Sequence, residues 1–256
     1  MKKVYFIYIV FLIVGCKSYV LTDVKNENIS VTQSFSADST LIHIIKPYKT
    51  SLDSSMNEVL AISELEMTTG SPEGLLGNFV CDLSLEIGNE YFEKIYKDKA
   101  DFVILNNGGL RTFLPKGEVT RRKCYEIMPF ENELVVVTLS AKNANELFGY
   151  IAKKSVKVGS RKQGVPISGN VKVLLNDKSP KDIYINESPF VGKQYKVITT
   201  DYLANGGDNM SFFKNPINRQ KLGIKLRDAI ILKCERENEN GKKLIAELDK
   251  RISYVE

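Results

Sequence analysis

The chain has 256 residues, with 36 Lys and Arg against 31 Asp and Glu for a formal net charge of +5, and 43% of it is hydrophobic. That length allows one domain with a substantial core. The cations are scattered: Arg121-Arg122-Lys123 and Lys153-Lys154 are short runs, not the continuous basic stripe that a nucleic-acid surface needs, and a nucleic-acid partner is excluded on that ground.

In chain order, the first element predicted is a leader. Lys2 and Lys3 precede an apolar run from Val4 to Val14, which has the length of a signal h-region and is short for a membrane span. It ends in Ile13-Val14-Gly15-Cys16, which resembles a lipobox. Residues 1–15 are therefore expected to be a lipoprotein signal peptide and Cys16 the lipidated residue, held on the membrane by several acyl chains. Residues 16–28 are polar and aperiodic, as suits a tether. Residues 29–256 form the folded domain. The expected location is the cell envelope, on the periplasm-facing side of an outer membrane, a sorting with which Lys17 and Ser18 are compatible.

Within the domain, Thr40 to Lys46 reads as a short helix stopped by Pro47. Ser71-Pro72-Glu73 supplies a cap, a first-position proline and an acid for a long amphipathic helix reaching about Lys97. Cys81 falls in its apolar stripe. Strands are predicted at Asp101–Leu105 and Glu133–Leu139, and Ser140 caps a helix to about Lys154. Further strands fall near Val165–Leu175, Asp182–Ile185 and Lys193–Thr200, a helix near Ile224–Glu237, and a short segment at Arg251–Val255. This alternation predicts an α+β fold with a mixed sheet packed against helices. Cys81, Cys124 and Cys234 remain after Cys16 is lipidated, so at most one disulfide can form.

Three glycine-containing loops carry chemistry. Asn106-Asn107-Gly108-Gly109-Leu110-Arg111 follows a strand, its glycines permitting close backbone approach and its arginine offering a fork of donors for phosphate or carboxylate. Met128-Pro129-Phe130-Glu131-Asn132 leads an aromatic ring into the valine-rich strand. Thr200-Asp201-Tyr202-Leu203-Ala204-Asn205-Gly206-Gly207-Asp208 ends another strand in a ring, two glycines and a carboxylate. Two rings on separate loops can sandwich a planar base, and a carboxylate can accept hydrogen bonds from vicinal sugar hydroxyls.

These motifs, with Leu76-Gly77-Asn78-Phe79-Val80-Cys81-Asp82, Ser168-Gly169 and Lys193-Gln194-Tyr195-Lys196-Val197, resemble in order the carboxy-terminal domain of the 5′-nucleotidase and UDP-sugar hydrolase family. The resemblance implies a substrate-binding site. Phe130 and Tyr202 would stack the base, Asn106, Arg111 and Asn132 would make polar contacts to substrate, Gly169 would line the base pocket, and Asp208 would hold the ribose hydroxyls. Several members place a further substrate arginine where this chain has Pro72, which weakens the implied phosphate contact.

Full-length members also carry a metallophosphoesterase domain, whose two metals activate water. The single histidine, His43, lies in an apolar run and is expected to pack against the domain; Asp-x-His, Asn-His-Asp/Glu and Gly-His-x-His motifs are absent. The expected function is thus the nucleotide- or nucleoside-binding half of a 5′-nucleotidase, without catalytic residues or cofactor of its own. A separate metallophosphoesterase chain would hold the divalent metals. A non-catalytic nucleoside- or nucleotide-sugar-binding lipoprotein, and a structural lipoprotein with a decayed pocket, are the alternatives.

Overall fold

The run Leu134-Val135-Val136-Val137 is apolar at consecutive positions, which a strand tolerates only when both faces are covered. The structure, a computed structural model, describes residues 23–30, 32, 36–156 and 164–255. In it β4 (Glu133–Leu139) is buried from Leu134 to Leu139. Alternate side chains enter two different cores. Leu134 and Val136 join one apolar cluster, while Val135, Val137 and Leu139 join the other.

Around β4 lies the central mixed sheet β2–β8–β4–β9, formed by β2 (Phe102–Val103), β8 (Tyr195–Thr200) and β9 (Asn218–Lys225). β2 runs parallel to β8, and β4 is antiparallel to both β8 and β9. Against one face pack α2 (Leu75–Tyr96), α3 (Arg121–Ile127) and α6 (Leu226–Glu239). The small antiparallel pair of β1 (Val59–Ser63) and β3 (Gly117–Thr120) shares that core. The other face is covered by α4 (Ala141–Lys154) and a second sheet, β10–β5–β6–β7. Its strands are β5 (Val171–Asn176), β6 (Ser179–Ile185), β7 (Ser188–Pro189) and β10 (Ile252–Tyr254). Among the described residues the remaining α-helices are α1 (Ser39–Met56) and the short α5 (Asp201–Ala204). The expected α+β class with a mixed sheet is what forms.

Local signals explain several boundaries. Ser140 accepts a hydrogen bond from the Asn143 N–H at 3.2 Å, a cap worth about 1 kcal/mol. α2 ends at Lys97 in the left-handed conformation, φ 57°. Its start differs from expectation, because Gly74 and not Ser71 is the cap. A Cβ on Gly74 would lie 2.3 Å from the Gly70 nitrogen, so the chain folds back on itself there, and Ser71-Pro72 forms a cis peptide in that turn.

Pro47 does not stop α1, which runs on to Met56. A proline deletes one i→i−4 hydrogen bond, and good helix formers on either side can carry a helix across it. His43, expected to pack, is exposed. The strand β9 reaches Lys225, so the last long helix begins at Leu226 and not at Ile224. The Val165–Leu175 segment splits, with Ile167 bridging to Ile104 before β5 starts.

The chain divides into two units, Met1–Pro47 and Tyr48–Glu256; the sheets and cores above belong to the second. Cys81, Cys124 and Cys234 are buried and free, and Cys81 sits in the apolar face of α2 as its spacing predicts. The leader and Cys16 lie outside the described residues. Among the described residues no helix is long and apolar enough to cross a membrane.

Candidate functional site

The loops that leave β2, enter β4 and leave β8 come together, and with the last turn of α4 they border a cavity of about 730 Å³. After β2, Asn107–Gly109 forms a single 3₁₀ turn. Its Asn107 side chain is buried and donates to the Gly70 carbonyl at 2.9 Å, fixing the turn from beneath. Arg111 is held at both ends: its N–H donates to the Ile127 carbonyl at 2.8 Å, and Nη1 donates to the Gly108 carbonyl at 3.1 Å. The guanidinium carbon stands 5.8 Å from the centroid of the Phe130 ring, a cation–π distance.

Phe130 is 43% exposed and Tyr202 46% exposed. Large rings left open to this degree on the rim of a cavity are available to a ligand, where a core residue would not be. The Phe130 loop is anchored by its neighbours. Glu131 pairs with Lys225 and with Arg227, and the Leu226 N–H donates to the Asn132 carbonyl at 2.9 Å. Lys225 first and Arg227 second hold the Glu131 carboxyl at about 2, so these pairs are intact at neutral pH and are lost only on strong acidification. The buried Arg227 guanidinium lies 4.2 Å from the Tyr125 ring centroid.

The third loop carries the carboxylate. Thr200 caps α5, accepting from the Leu203 N–H at 3.3 Å, and the chain then turns through Gly206 and Gly207 to Asp208. Asp208 and Asn209 are both left-handed, φ 52° and 62°, at roughly 1 kcal/mol each for residues with a Cβ. Four contacts fix this conformation. Asn106 Nδ2 donates to Asp208 Oδ2 at 2.6 Å, and the Tyr202 hydroxyl donates to Oδ1 at 3.0 Å. The Tyr150 hydroxyl donates to the Asp208 carbonyl at 2.8 Å, and the Met210 N–H donates to the Gly207 carbonyl at 3.0 Å. Gly207 lies flat under the Tyr202 ring, where a Cβ would come within 2.4 Å of a ring carbon. One face of that ring is therefore covered by protein.

Of the residues that sequence reasoning proposes, Asn106, Arg111, Phe130, Asn132, Tyr202 and Asp208 all border this cavity. Gly169 does not. Its N–H donates to Asp82 Oδ1 at 2.8 Å, in a separate depression beside Asn89 and Lys99. The chain reverses between Ile167 and β5, carrying Gly169 away from the cavity, and the glycines that line it are Gly108, Gly109 and, next to Val165, Gly164. The contribution of α4 went unforeseen: Tyr150, Lys153 and Lys154 form one wall. A signal for it existed, since Tyr150 falls outside the buried stripe of Ala144, Leu147, Phe148 and Ile151.

Among the described residues the lining has three cations, Arg111, Lys153 and Lys154, against one carboxylate, Asp208, whose two oxygens are already bonded within the protein. It includes no His and no Cys, and among the described residues no three His, Cys, Asp or Glu gather as ligands. A catalytic metal pair needs several such donors, so this cleft does not fit one. Its parts offer two exposed aromatic faces, an arginine, two lysines and one carboxylate.

The fold is an α+β domain whose loops gather two exposed rings, an arginine and a restrained carboxylate around one cavity. The 5′-nucleotidase, C-terminal domain family matches residues 58–215, and the chain belongs to that family. It is 24% identical over 198 residues to a 5′-nucleotidase of Vibrio parahaemolyticus, covering 76% of this chain and 33% of that protein. It is 24% identical over 191 residues to the protein UshA of Yersinia enterocolitica, covering 73% and 32%. Among solved structures, a 5′-nucleotidase precursor from Thermus thermophilus superposes with a TM-score of 0.63 at 20% identity, over 83% of this chain and 42% of that one. The NAD nucleotidase of Haemophilus influenzae gives 0.58 at 17%, over 85% and 41%. The chain thus spans about a third of the length of the curated relatives it matches.

Proposed function

We propose that this chain is the nucleotide-recognition unit of a 5′-nucleotidase. The observation that carries the reading is the convergence of Phe130, Tyr202, Arg111 and Asp208 on one cavity from three separate loops. The base stacks between Phe130 and the free face of Tyr202, Asp208 accepts from the ribose hydroxyls, and Arg111 faces phosphate or ribose. Asn106 orients Asp208, and Asn132 adds a polar contact. Hydrolysis falls to a metallophosphoesterase unit outside these 256 residues, supplied as a separate chain that carries the divalent metals. Cys16 anchors the protein by lipid at the cell envelope, facing the periplasm. The name of the Vibrio parahaemolyticus relative, a 5′-nucleotidase, supports a nucleotide ligand.

The reading is tested by calorimetric titration of the full chain, in detergent, with AMP, adenosine and UDP-glucose. Saturable binding is expected with at least one of them. Phe130→Ala is expected to weaken it about tenfold or more, since a base–aromatic stack contributes about 1–3 kcal/mol. A variant that binds as tightly as the parent would remove Phe130 from the site. For the two-chain arrangement, co-expression with a metallophosphoesterase encoded beside this chain should raise its kcat/KM for nucleotides. Equal activity with and without this protein would leave a binding lipoprotein without a catalytic role.

A further inference from the structure

We infer that Tyr150 is a positioning residue that sets the ribose-reading carboxylate of Asp208, making recognition of the sugar hydroxyls depend on helix α4. The inference rests on the nucleotide reading of the cleft and names the part of that site that reads ribose.

Asp208 is displayed from two consecutive left-handed residues, a conformation that persists only where the surroundings over-determine it. The carboxylate itself is steered by Asn106 and Tyr202, and the Tyr202 phenol oxygen also accepts from the Asp208 backbone N–H. The Asp208 carbonyl has a separate restraint that comes from outside the loop, the Tyr150 hydroxyl donating to it at 2.8 Å. Tyr150 can act as a fixed post because its own ring is immobilised. It packs edge-on against Phe212, with centroids 5.6 Å apart, and the Lys154 ammonium stands 5.7 Å from its centroid. Phe212 in turn is buried in the core that holds α4. A rigid path therefore runs from the helix through one hydroxyl to the turn that carries Asp208.

The state of that hydroxyl agrees with a permanent donor. Burial first, then the Asp208 carboxylate and last the neighbouring Tyr202 phenol, push the Tyr150 phenol up to about 12. It stays protonated, and its hydrogen bond stays made, throughout the physiological range. Removing the hydroxyl frees the turn without touching either stacking ring or the carboxylate, so the loss should fall on ligands that use Asp208 and spare those that do not.

The test is Tyr150→Phe, which keeps the ring and its contacts and deletes only the donor. The full chain is titrated with AMP and with 2′,3′-dideoxy-AMP, which lacks both ribose hydroxyls. The expected result is a loss of about tenfold for AMP and less than about twofold for the dideoxy compound, the size of one hydrogen bond acting through one carboxylate. Equal losses on both ligands, or none on either, would overturn the assignment, the first because it marks a general packing role. Hydrogen exchange of the ligand-free protein is read in parallel. Tyr150→Phe should speed exchange at residues 206–210 with an unchanged melting temperature, and an unaltered turn also overturns the inference. If the parent chain binds neither nucleotide, the nucleotide reading fails, and the exchange measurement alone decides whether Tyr150 holds the turn.

Discussion

Arg251→Met is expected to lower the unfolding free energy by about 3 kcal/mol, more than any surface change in this chain. The Arg251 side chain is 4% exposed and spends its donors on three partners. Nη1 and Nη2 donate to the two oxygens of Asp82 at 2.9 and 3.0 Å, Nε to Asp249 at 2.9 Å, and Nη1 also to the Ile167 carbonyl at 2.9 Å. It thus ties the start of β10 to α2 and to the segment that bridges Ile104, just after β2. Burial alone would lower its pKa; Asp82 and then Asp249 outweigh that and hold it above its ordinary value. Breaking a buried pair by removing one partner costs about 3–5 kcal/mol. Here the lower end applies, because Asp82 and Asp249 are 47% and 30% exposed and regain water. The orphaned Ile167 carbonyl adds its own penalty.

The same network predicts a pH dependence. Burial would raise the Asp249 carboxyl, but Arg251 and Lys172 together hold it below its ordinary range. A carboxylate depressed on folding stabilises the native state above its unfolded value, and that contribution is lost as pH falls through the folded value. The gap between parent and Arg251→Met should therefore be full at neutral pH and narrow below the ordinary aspartate range. Urea unfolding at about pH 7 and about pH 3 reads both numbers. A variant within about 0.5 kcal/mol of the parent at neutral pH, the range of an ordinary surface change, would show the network to be ornamental.

How far the sequence displays this architecture depends on whether a residue's role is local. β4 was readable because three consecutive valines state their burial on both faces, and the Ser140 cap because a cap is a contact three residues long. The cleft residues of the three loops were readable for a similar reason: glycines, rings and a carboxylate stand next to strand ends, where a ligand site forms. Gly169 was misplaced because its setting is decided by a partner far away in sequence, the Asp82 carboxylate that its N–H meets. β3 and α3 carry little signal of their own, because Gly117–Thr120 and Arg121–Ile127 are short and polar, and their reason to exist is β1 and the core beneath. Arg251 shows the same limit: as a lone arginine before a three-residue strand it announces nothing, and its worth is set by α2. Tyr150 falls between the two cases. Its place off the buried stripe was visible, but its partner at Asp208, 58 residues away, was not.

Asp208→Ala is expected to weaken AMP binding about 100-fold, the largest loss available from one side chain of the cleft. Hydrogen bonds to a charged group contribute about 1.5–3 kcal/mol each, and ribose offers two hydroxyls to one carboxylate. Some of the loss is indirect, since Asn106 and the Tyr202 hydroxyl both lose their acceptor and the Tyr202 ring is freed from its tilt over Gly207. Alanine is also a poor occupant of a left-handed position, so part of any effect could come from the turn. Asp208→Asn separates the two, because asparagine tolerates φ 52° and retains one acceptor oxygen. It lacks the charge and puts an amide N–H₂ where Asn106 now donates. It should cost about tenfold on AMP, leave 2′,3′-dideoxy-AMP unaffected and leave the melting temperature near that of the parent. Should Asp208→Asn weaken the dideoxy compound as much as AMP, the carboxylate would be acting on the stacked base or on the fold. Ribose recognition would then have to come from another wall of the cleft, with Asn132 and the lysines of α4 the side chains in place to supply it.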